Sequence, residues 1–298
     1  MENEMILRQK KKPDGFTVLA YAILTVLAAL TVFPFYSVLI LSVANTGAYA
    51  AHSPYMLPYV FDFSAFREVF GDPYFLRSLQ VTLFNTFVGT ALNMTVSVLA
   101  AYALSRKRLA GRNFLTVMIL VTMLFSGGLV PTYLTVKAYG LQNSIWAMIF
   151  PCMLNSYYIL IMKNYFMTLP ESLEEAAKID GANDFQVLLR IMLPVSKPFM
   201  ATFTLFYAVE RWNEWWNAYL YIFDKDLKPL QIYLRDLLAA YNTELAPQLQ
   251  AMMENQHSSF PMAVHMSAIL LTMVPIVCVY PFVQKFFVKG IMLGSVKQ

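Results

Sequence analysis

Six stretches of this chain stay apolar for long enough to cross a bilayer as helices, and that repetition constrains the fold more than any other feature. A hydrocarbon layer about 30 Å thick takes roughly 20 residues of helix. The stretches run over Phe16–Val43, Ser78–Leu104, Asn113–Val136, Ser144–Met162, Pro198–Phe223 and Val264–Phe287. The expected fold is an all-α integral membrane protein with six transmembrane helices. Composition agrees: 58% of residues are hydrophobic and 13% charged, about half the charged share of a globular domain. A net charge of +4 on a chain rich in Leu, Phe, Met and Tyr argues against disorder and against nucleic-acid binding.

The distribution of Lys and Arg sets the expected orientation. Arg8 and Lys10 to Lys12 precede the first stretch. Arg106, Lys107, Arg108 and Arg112 join the second to the third, and Lys163, Lys178, Arg190 and Lys197 join the fourth to the fifth. The opposite loops hold fewer cations: Arg67, Arg77, Lys137, Lys225, Lys228 and Arg235. Basic residues gather on the cytoplasmic side, so both termini are expected there. The first apolar run is about twice as long as the core of a secretory signal and reads as a retained span. The expected organisation is a cytoplasmic tail over 1–15, a membrane domain over 16–290 and a second cytoplasmic tail over 291–298. A cytoplasmic loop falls at 168–195, and outer loops fall at 44–77 and 224–263.

Nothing in the sequence suggests catalysis on this chain. Cys152 and Cys278 sit in apolar runs and read as packing residues. His52, His257 and His265 lack acidic or Cys partners at ligand spacing, so no metal site is expected. The sequence has no G-x-x-x-x-G-K-[ST] loop, no Gly-x-Ser-x-Gly elbow and no His-Glu-x-x-His helix. Helix breakers occur at Pro34, Pro151, Pro275 and Pro281, where neighbouring helices can satisfy the freed carbonyls. The run Gly127-Gly128-Leu129-Val130-Pro131 is the best kink candidate, since it joins two flexible residues to a lost donor.

The connection from Lys163 to Lys197 is too ordered for a tether. Ser172 and Glu175 have capping-box spacing, and Glu174 and Lys178 form an i,i+4 pair in the favourable order. Gly181 can take the left-handed conformation that ends a helix. Leu173, Ala176, Ala177 and Ile179 are expected on one side of this helix, with Glu174 and Lys178 opposite. A second short helix is expected to put Phe185, Leu188, Leu189 and Met192 on one side, Gln186 and Arg190 on the other, and to stop at Leu193-Pro194. Two amphipathic helices turning at a glycine form a knob that either docks a partner or lies on lipid.

Within that knob, Glu175-Ala176-Ala177, Asp180-Gly181-Ala182, and Ile191, Leu193 and Pro194 resemble the EAA loop of ABC importer permeases, at nine positions over twenty residues. The resemblance covers nearly the whole chain and implies a type I ABC importer permease fold in the bacterial cytoplasmic membrane. It implies that Glu174, Glu175, Ala176, Ala177, Asp180, Gly181, Ala182, Ile191, Leu193 and Pro194 couple the spans to a separate ATPase. The implied assembly adds a second homologous permease, two ATPase subunits and an extracytoplasmic solute-binding protein. ATP and Mg would then belong to the ATPases, with no cofactor on this chain. The two outer loops are the surfaces left for a binding protein, and Leu230 to Tyr241 carries apolar residues at helical spacing.

The fifth stretch holds the most costly residues, Glu210-Arg211-Trp212-Asn213-Glu214-Trp215-Trp216-Asn217. An ionisable side chain within a span costs on the order of 3 kcal/mol and needs a partner or a wet cavity. Tyr207, Glu210, Glu214, Asn217 and Tyr221 recur at i+3/i+4 spacing and are expected on one face, where polar tips beside aromatic faces suit a sugar. The alternative is an aromatic belt at the outer interface, with Glu210 pairing with Arg211. Trp212 to Trp215 is similar to the fifth-span segment of maltose-type permeases, in the first carbohydrate uptake family. Met123 to Tyr133 and Phe206 to Val209 resemble a subgroup associated with oligosaccharides derived from polysaccharides. That implies a sugar pathway along Tyr207, Glu210, Arg211, Trp212, Asn213, Glu214 and Asn217. Glu210-Arg211 is more charged than the subgroup's pattern, so Arg211 either meets a uronate or sialate carboxylate or is neutralised by Glu210 or Glu214. Two rival readings stay open. One is an amino-acid or peptide permease of the same superfamily, and the other an ion-coupled transporter using Glu210, Arg211 and Glu214 as a proton relay.

Overall fold

The computed structural model of the chain describes residues 14–52, 55–244 and 261–295. Arg8, Lys10 to Lys12, His257, Lys297 and the stretch 245–260 of the second outer loop lie outside them. Among the described residues the elements are helices joined by turns, with no strand, in agreement with an all-α fold.

Helix α1 (Gly15–Ser42) starts at Asp14, whose carboxylate accepts from the Gly15 amide at 2.9 Å, and runs unbroken through Pro34. The short α2 (Thr46–Ala51) and α3 (Ser64–Gly71) follow. Helix α4 (Pro73–Ser105) opens on a proline, where a missing N–H is tolerated, and has Asp72 as its cap. Next come α5 (Arg112–Leu124) and α6 (Leu129–Ala138), then two 3-10 turns, Ile145–Met148 and Phe150–Cys152, leading into α7 (Ser156–Thr168). The knob comprises α8 (Glu171–Ile179), α9 (Asp184–Val187), a π-turn over Leu188–Met192 and α10 (Leu193–Val195). The chain ends with α11 (Lys197–Trp212), α12 (Trp216–Tyr221), α13 (Leu230–Glu244) and α14 (Pro261–Ser295). The helix expected over Leu230 to Tyr241 is α13.

Among the described residues three helices are long and apolar enough to cross a membrane alone: α1, α4 and the Pro261–Val279 part of α14. Three bent pairs reach that length together. The α5–α6 pair turns by 116° at the glycine run, where Gly128 has φ +85°, so the best kink candidate is a break. The second break, of 50°, follows Pro151, and the third, of 90°, falls at Ser196. The helix expected to stop at Leu193-Pro194 runs continuously from Asp184 to Val195, one residue past Pro194, and the chain turns at Ser196. The fifth stretch is interrupted too: α11 ends at Trp212, and Asn213 to Trp215 are not helical.

Helix α4 is the axis of the bundle, packing on α7 and α11, while α14 packs on α11 and α1. One hydrophobic cluster joins the knob to the spans: Val187, Leu188 and Met192 pack with Tyr102, Met162, Phe166 and Phe203. Each such large side chain contributes roughly 1.5–3 kcal/mol when fully buried. The knob is therefore built into the bundle rather than hung beneath it.

Candidate functional site

The knob differs from its helical-wheel expectation. In α8 the buried residues are Glu174 and Ala177, while Ala176 is exposed and Ile179 is 86% exposed. The reason is electrostatic. The turn after α4 supplies Arg106 and Arg108, and both reach Glu174: Arg106 pairs with Oε2, and Arg108 with Oε1 at 3.3 Å. Lys178 adds a third cation, its Nζ lying 2.6 Å from Glu174 Oε1, as the i,i+4 spacing predicts. Arg108 and Lys178 also meet Asp184 at the start of α9. Arg106 sits 4.4 Å from the centroid of the Tyr102 ring, and burial lowers its pKa from the ordinary arginine value. An apolar face turned inward could not have answered these three cations. The face rotates, and an open charged cleft of about 220 Å³ forms between the Ser105–Arg108 turn and α8.

The turn chemistry follows the sequence in part. Gly181 has φ +83°, and the Ala182 amide donates to the Ala177 carbonyl at 2.9 Å, closing α8 as expected. The capping box does not form at Ser172 and Glu175, since α8 begins two residues earlier than that box requires, at Glu171 after Pro170, with no side-chain cap. The box forms instead at Asn183 and Gln186, opening α9. Leu188 and Met192 are buried, but Phe185 and Leu189, expected beside them, are 58% and 47% exposed. The knob thus presents Ala176, Ile179, Phe185 and Leu189 outward, next to exposed Glu175, Asp180 and Gly181. Ala182, Ile191 and Leu193 are half-buried behind them, and Pro194 is exposed.

The fifth-span stripe is kept in part: Tyr207 and Glu210 both meet Tyr158, and Asn217, held by Glu214, reaches Cys152, which lines the same groove as Glu210. Glu210 is exposed and accepts a hydrogen bond from the Tyr158 hydroxyl at 2.6 Å. Tyr207 is fully buried, its hydroxyl 2.7 Å from Ser97 Oγ. Trp212 is buried and donates from Nε1 to the Thr272 carbonyl at 3.2 Å. Glu214 closes the break by accepting from the Asn217 amide at 2.8 Å and its side chain at 3.1 Å, an acid at a helix start. Asn217 also reaches Cys152 Sγ at 3.0 Å, and exposed Asn213 accepts from Gln231 at 3.2 Å. Trp215 and Trp216 are about half exposed, with their ring centroids 5.4 Å apart and steeply inclined.

Arg211 is neither a free cation nor half of an ion pair among the described residues. It is 3% exposed, and donates to the Met148 carbonyl at 2.6 Å, to the Cys152 carbonyl and to Asn93 Oδ1 at 3.2 Å. Glu210, next to it on α11, borders an open groove of about 390 Å³. Thr122 and Met123 of α5 and Cys152, Asn155, Ser156 and Tyr157 at the second break line the rest. The groove offers a carboxylate, an amide, hydroxyls and an aromatic ring, a donor and acceptor set that can hold a polyhydroxylated solute. Its lining in α5 and α7 was not foreseen, because those runs read as featureless span. Polar Asn85 and Asn93 within an apolar stretch were a legible signal for the Arg211 environment.

The comparisons with known proteins bear on this arrangement. The family model described as binding-protein-dependent transport system inner membrane component matches residues 15–293. The chain is 40% identical over 285 residues to the polygalacturonan/rhamnogalacturonan transport system permease protein YtcP of Bacillus subtilis (strain 168), covering 95% of this chain and 98% of that protein. It is 41% identical over 271 residues to the protein LplC of the same organism, covering 90% of each. Among solved structures, it resembles a chain in the crystal structure of a bacterial ABC transporter involved in the import of the acidic polysaccharide alginate. The TM-score there is 0.85, with 31% identity over 91% of this chain and 96% of that one. The chain belongs to the binding-protein-dependent transport system inner membrane component family, and as a permease subunit it is not itself an enzyme.

Proposed function

We propose, with that membership as the premise, that this chain is one of two permease subunits of an ATP-driven importer for oligosaccharides of an acidic polysaccharide. The observation that carries the coupling role is the outward face of the knob. Ala176, Ile179, Phe185 and Leu189 lie exposed beside the nine-position motif, on a scaffold fixed from behind by the Glu174 ion pairs. A separate ATPase subunit fits that face, and ATP and Mg belong to it, with no cofactor on this chain. The substrate class rests on the polymers named for the similar proteins, polygalacturonan, rhamnogalacturonan and alginate.

In this reading the six spans are α1, α4, α5 with α6, the 3-10 turns with α7, α11 with α12, and α14, with both termini in the cytoplasm of a bacterium. The tails are 1–15 and 291–298, the membrane domain 16–290, the coupling loop 168–195. The outer loops 44–77 and 224–263 meet an extracytoplasmic binding protein, and a second homologous permease completes the pathway. Solute passes along the groove at Glu210, with Asn213 and Glu214 beyond it and Trp215 and Trp216 offering flat faces to sugar rings. Tyr207, Arg211, Trp212 and Asn217 brace that wall from within.

The test is ATP hydrolysis by the purified complex in lipid vesicles with its binding protein. Oligogalacturonides should stimulate it severalfold, and amino acids and peptides should not. Stimulation by amino acids alone would refute the substrate class and favour the rival permease reading.

A further inference from the structure

We infer that Arg211 is a positioning residue, holding the broken fourth span in register with α11 and thereby setting the groove wall without touching the solute. In an unbroken α-helix the Met148 and Cys152 carbonyls would accept from backbone amides four residues on. Here 3-10 turns and Pro151 interrupt the helix, and α7 starts afresh at Ser156. The guanidinium donates to both carbonyls instead, one on each side of Pro151. Irregular backbone inside a bundle needs such a substitute donor.

Helix α4 is shaped to seat this side chain. A Cβ at Gly89 would stand 2.9 Å from Arg211 Cδ, so only glycine leaves the room. Asn93 accepts from Nη2 at 3.2 Å, and Asn85 donates to the Arg211 carbonyl at 2.9 Å. Asn85, Gly89 and Asn93 follow at four-residue steps, so one face of α4 is built around the arginine. The charge is met by carbonyl and amide dipoles, which act strongly where water is excluded.

This seat has a mechanical consequence. Helix α11 leaves the knob through the bend at Ser196, so any displacement of α11 is passed through Arg211 to Met148 and Cys152. Just beyond them lie Asn155 and Tyr157, which line the groove. Glu210, the adjacent residue of α11, holds Tyr158. Two adjacent residues therefore grip the fourth span on either side of its break.

The experiment uses the complete complex in lipid vesicles, in a Cys278→Ala background so that alkylation by a small water-soluble maleimide reports Cys152. Arg211→Gln should change the rate of Cys152 alkylation severalfold and lower the maximal uptake of an oligogalacturonide mixture about tenfold, with Arg211→Lys between it and wild type. The half-saturating concentration should not move, and ATP hydrolysis should continue. Gly89→Ala keeps the charge but fills its seat, and should shift both readouts in the same direction. It carries the test if Arg211→Gln does not assemble. Wild-type alkylation and maximal uptake in either assembled variant would overturn the inference, as would a loss confined to half-saturation, which marks a solute ligand. Alkylation is independent of the sugar, so it judges this inference even if the substrate class is wrong.

Discussion

Glu174 in the knob and Arg211 in the fifth span are both buried charges, and they are neutralised in opposite ways. Glu174 is 7% exposed and draws three cations, two of them from the turn after α4. Arg211 is 3% exposed and forms no ion pair among the described residues, its guanidinium bonding to carbonyls and an amide. Ion pairs made of long side chains tolerate sliding, whereas carbonyl contacts at a helix break do not. The knob is thus suited to receive a push and the span to transmit it. In both places the buried charge serves as internal support. The surfaces left for contact are its neighbours, Glu175 with Ile179 in one case and Glu210 in the other.

The comparison can be broken most severely at the glycine that lets the knob turn. Gly181→Pro forbids φ +83° and removes the amide that donates to the Lys178 carbonyl at 3.0 Å. Uptake should fall by about a hundredfold with the chain still in the membrane; wild-type uptake would remove the lever role. Next comes Glu174→Gln, which strands Arg106 and should cost the knob about 2 kcal/mol, discounted because Arg108 and Lys178 keep access to water. A double-mutant cycle with Arg106→Gln should recover part of that loss, and strict additivity would deny the latch. Ile179→Asp should leave the chain's own thermal stability unchanged, since the side chain is 86% exposed. It should still reduce co-purification of the ATPase severalfold, as for a central apolar contact.

The smallest effect is expected at Glu171, one turn before Glu174 and also paired with the α4 turn, through Lys107 at 2.6 Å. The Lys107 hydrogen bond holds its carboxyl below the ordinary glutamate value. A lowered carboxyl contributes above its unfolded value, and loses that contribution only as pH falls through its folded value. At neutral pH the pair is intact, yet it lies fully in solvent, so Glu171→Gln should leave uptake unchanged. A large loss there would erase the distinction between buried latch and exposed pair.

The sequence showed most of the fold and less of the site. Apolar length located the three helices long enough to cross a membrane alone, and Gly127-Gly128 located the sharpest break, because both are local properties of the chain. The motif located the knob and its Gly181 turn. It could not orient α8, because the cations that rotate the helix come from Arg106 and Arg108, some seventy residues upstream. Periodicity held only in part in the fifth span: Glu214 starts a new helix at Trp216, so the i+3/i+4 count crosses an interruption. Arg211 looked like a ligand because an isolated cation in a span needs an answer, and the answer lay in backbone carbonyls, which no side-chain pattern announces.

The claim beneath all of this is that the chain moves solute only when a neighbouring ATPase drives its knob. Uptake of labelled oligogalacturonide into vesicles should be compared for the whole complex and for this chain alone. The account predicts accumulation that requires ATP and the complete complex. Accumulation by the lone chain under an ion gradient, without ATP, would contradict it.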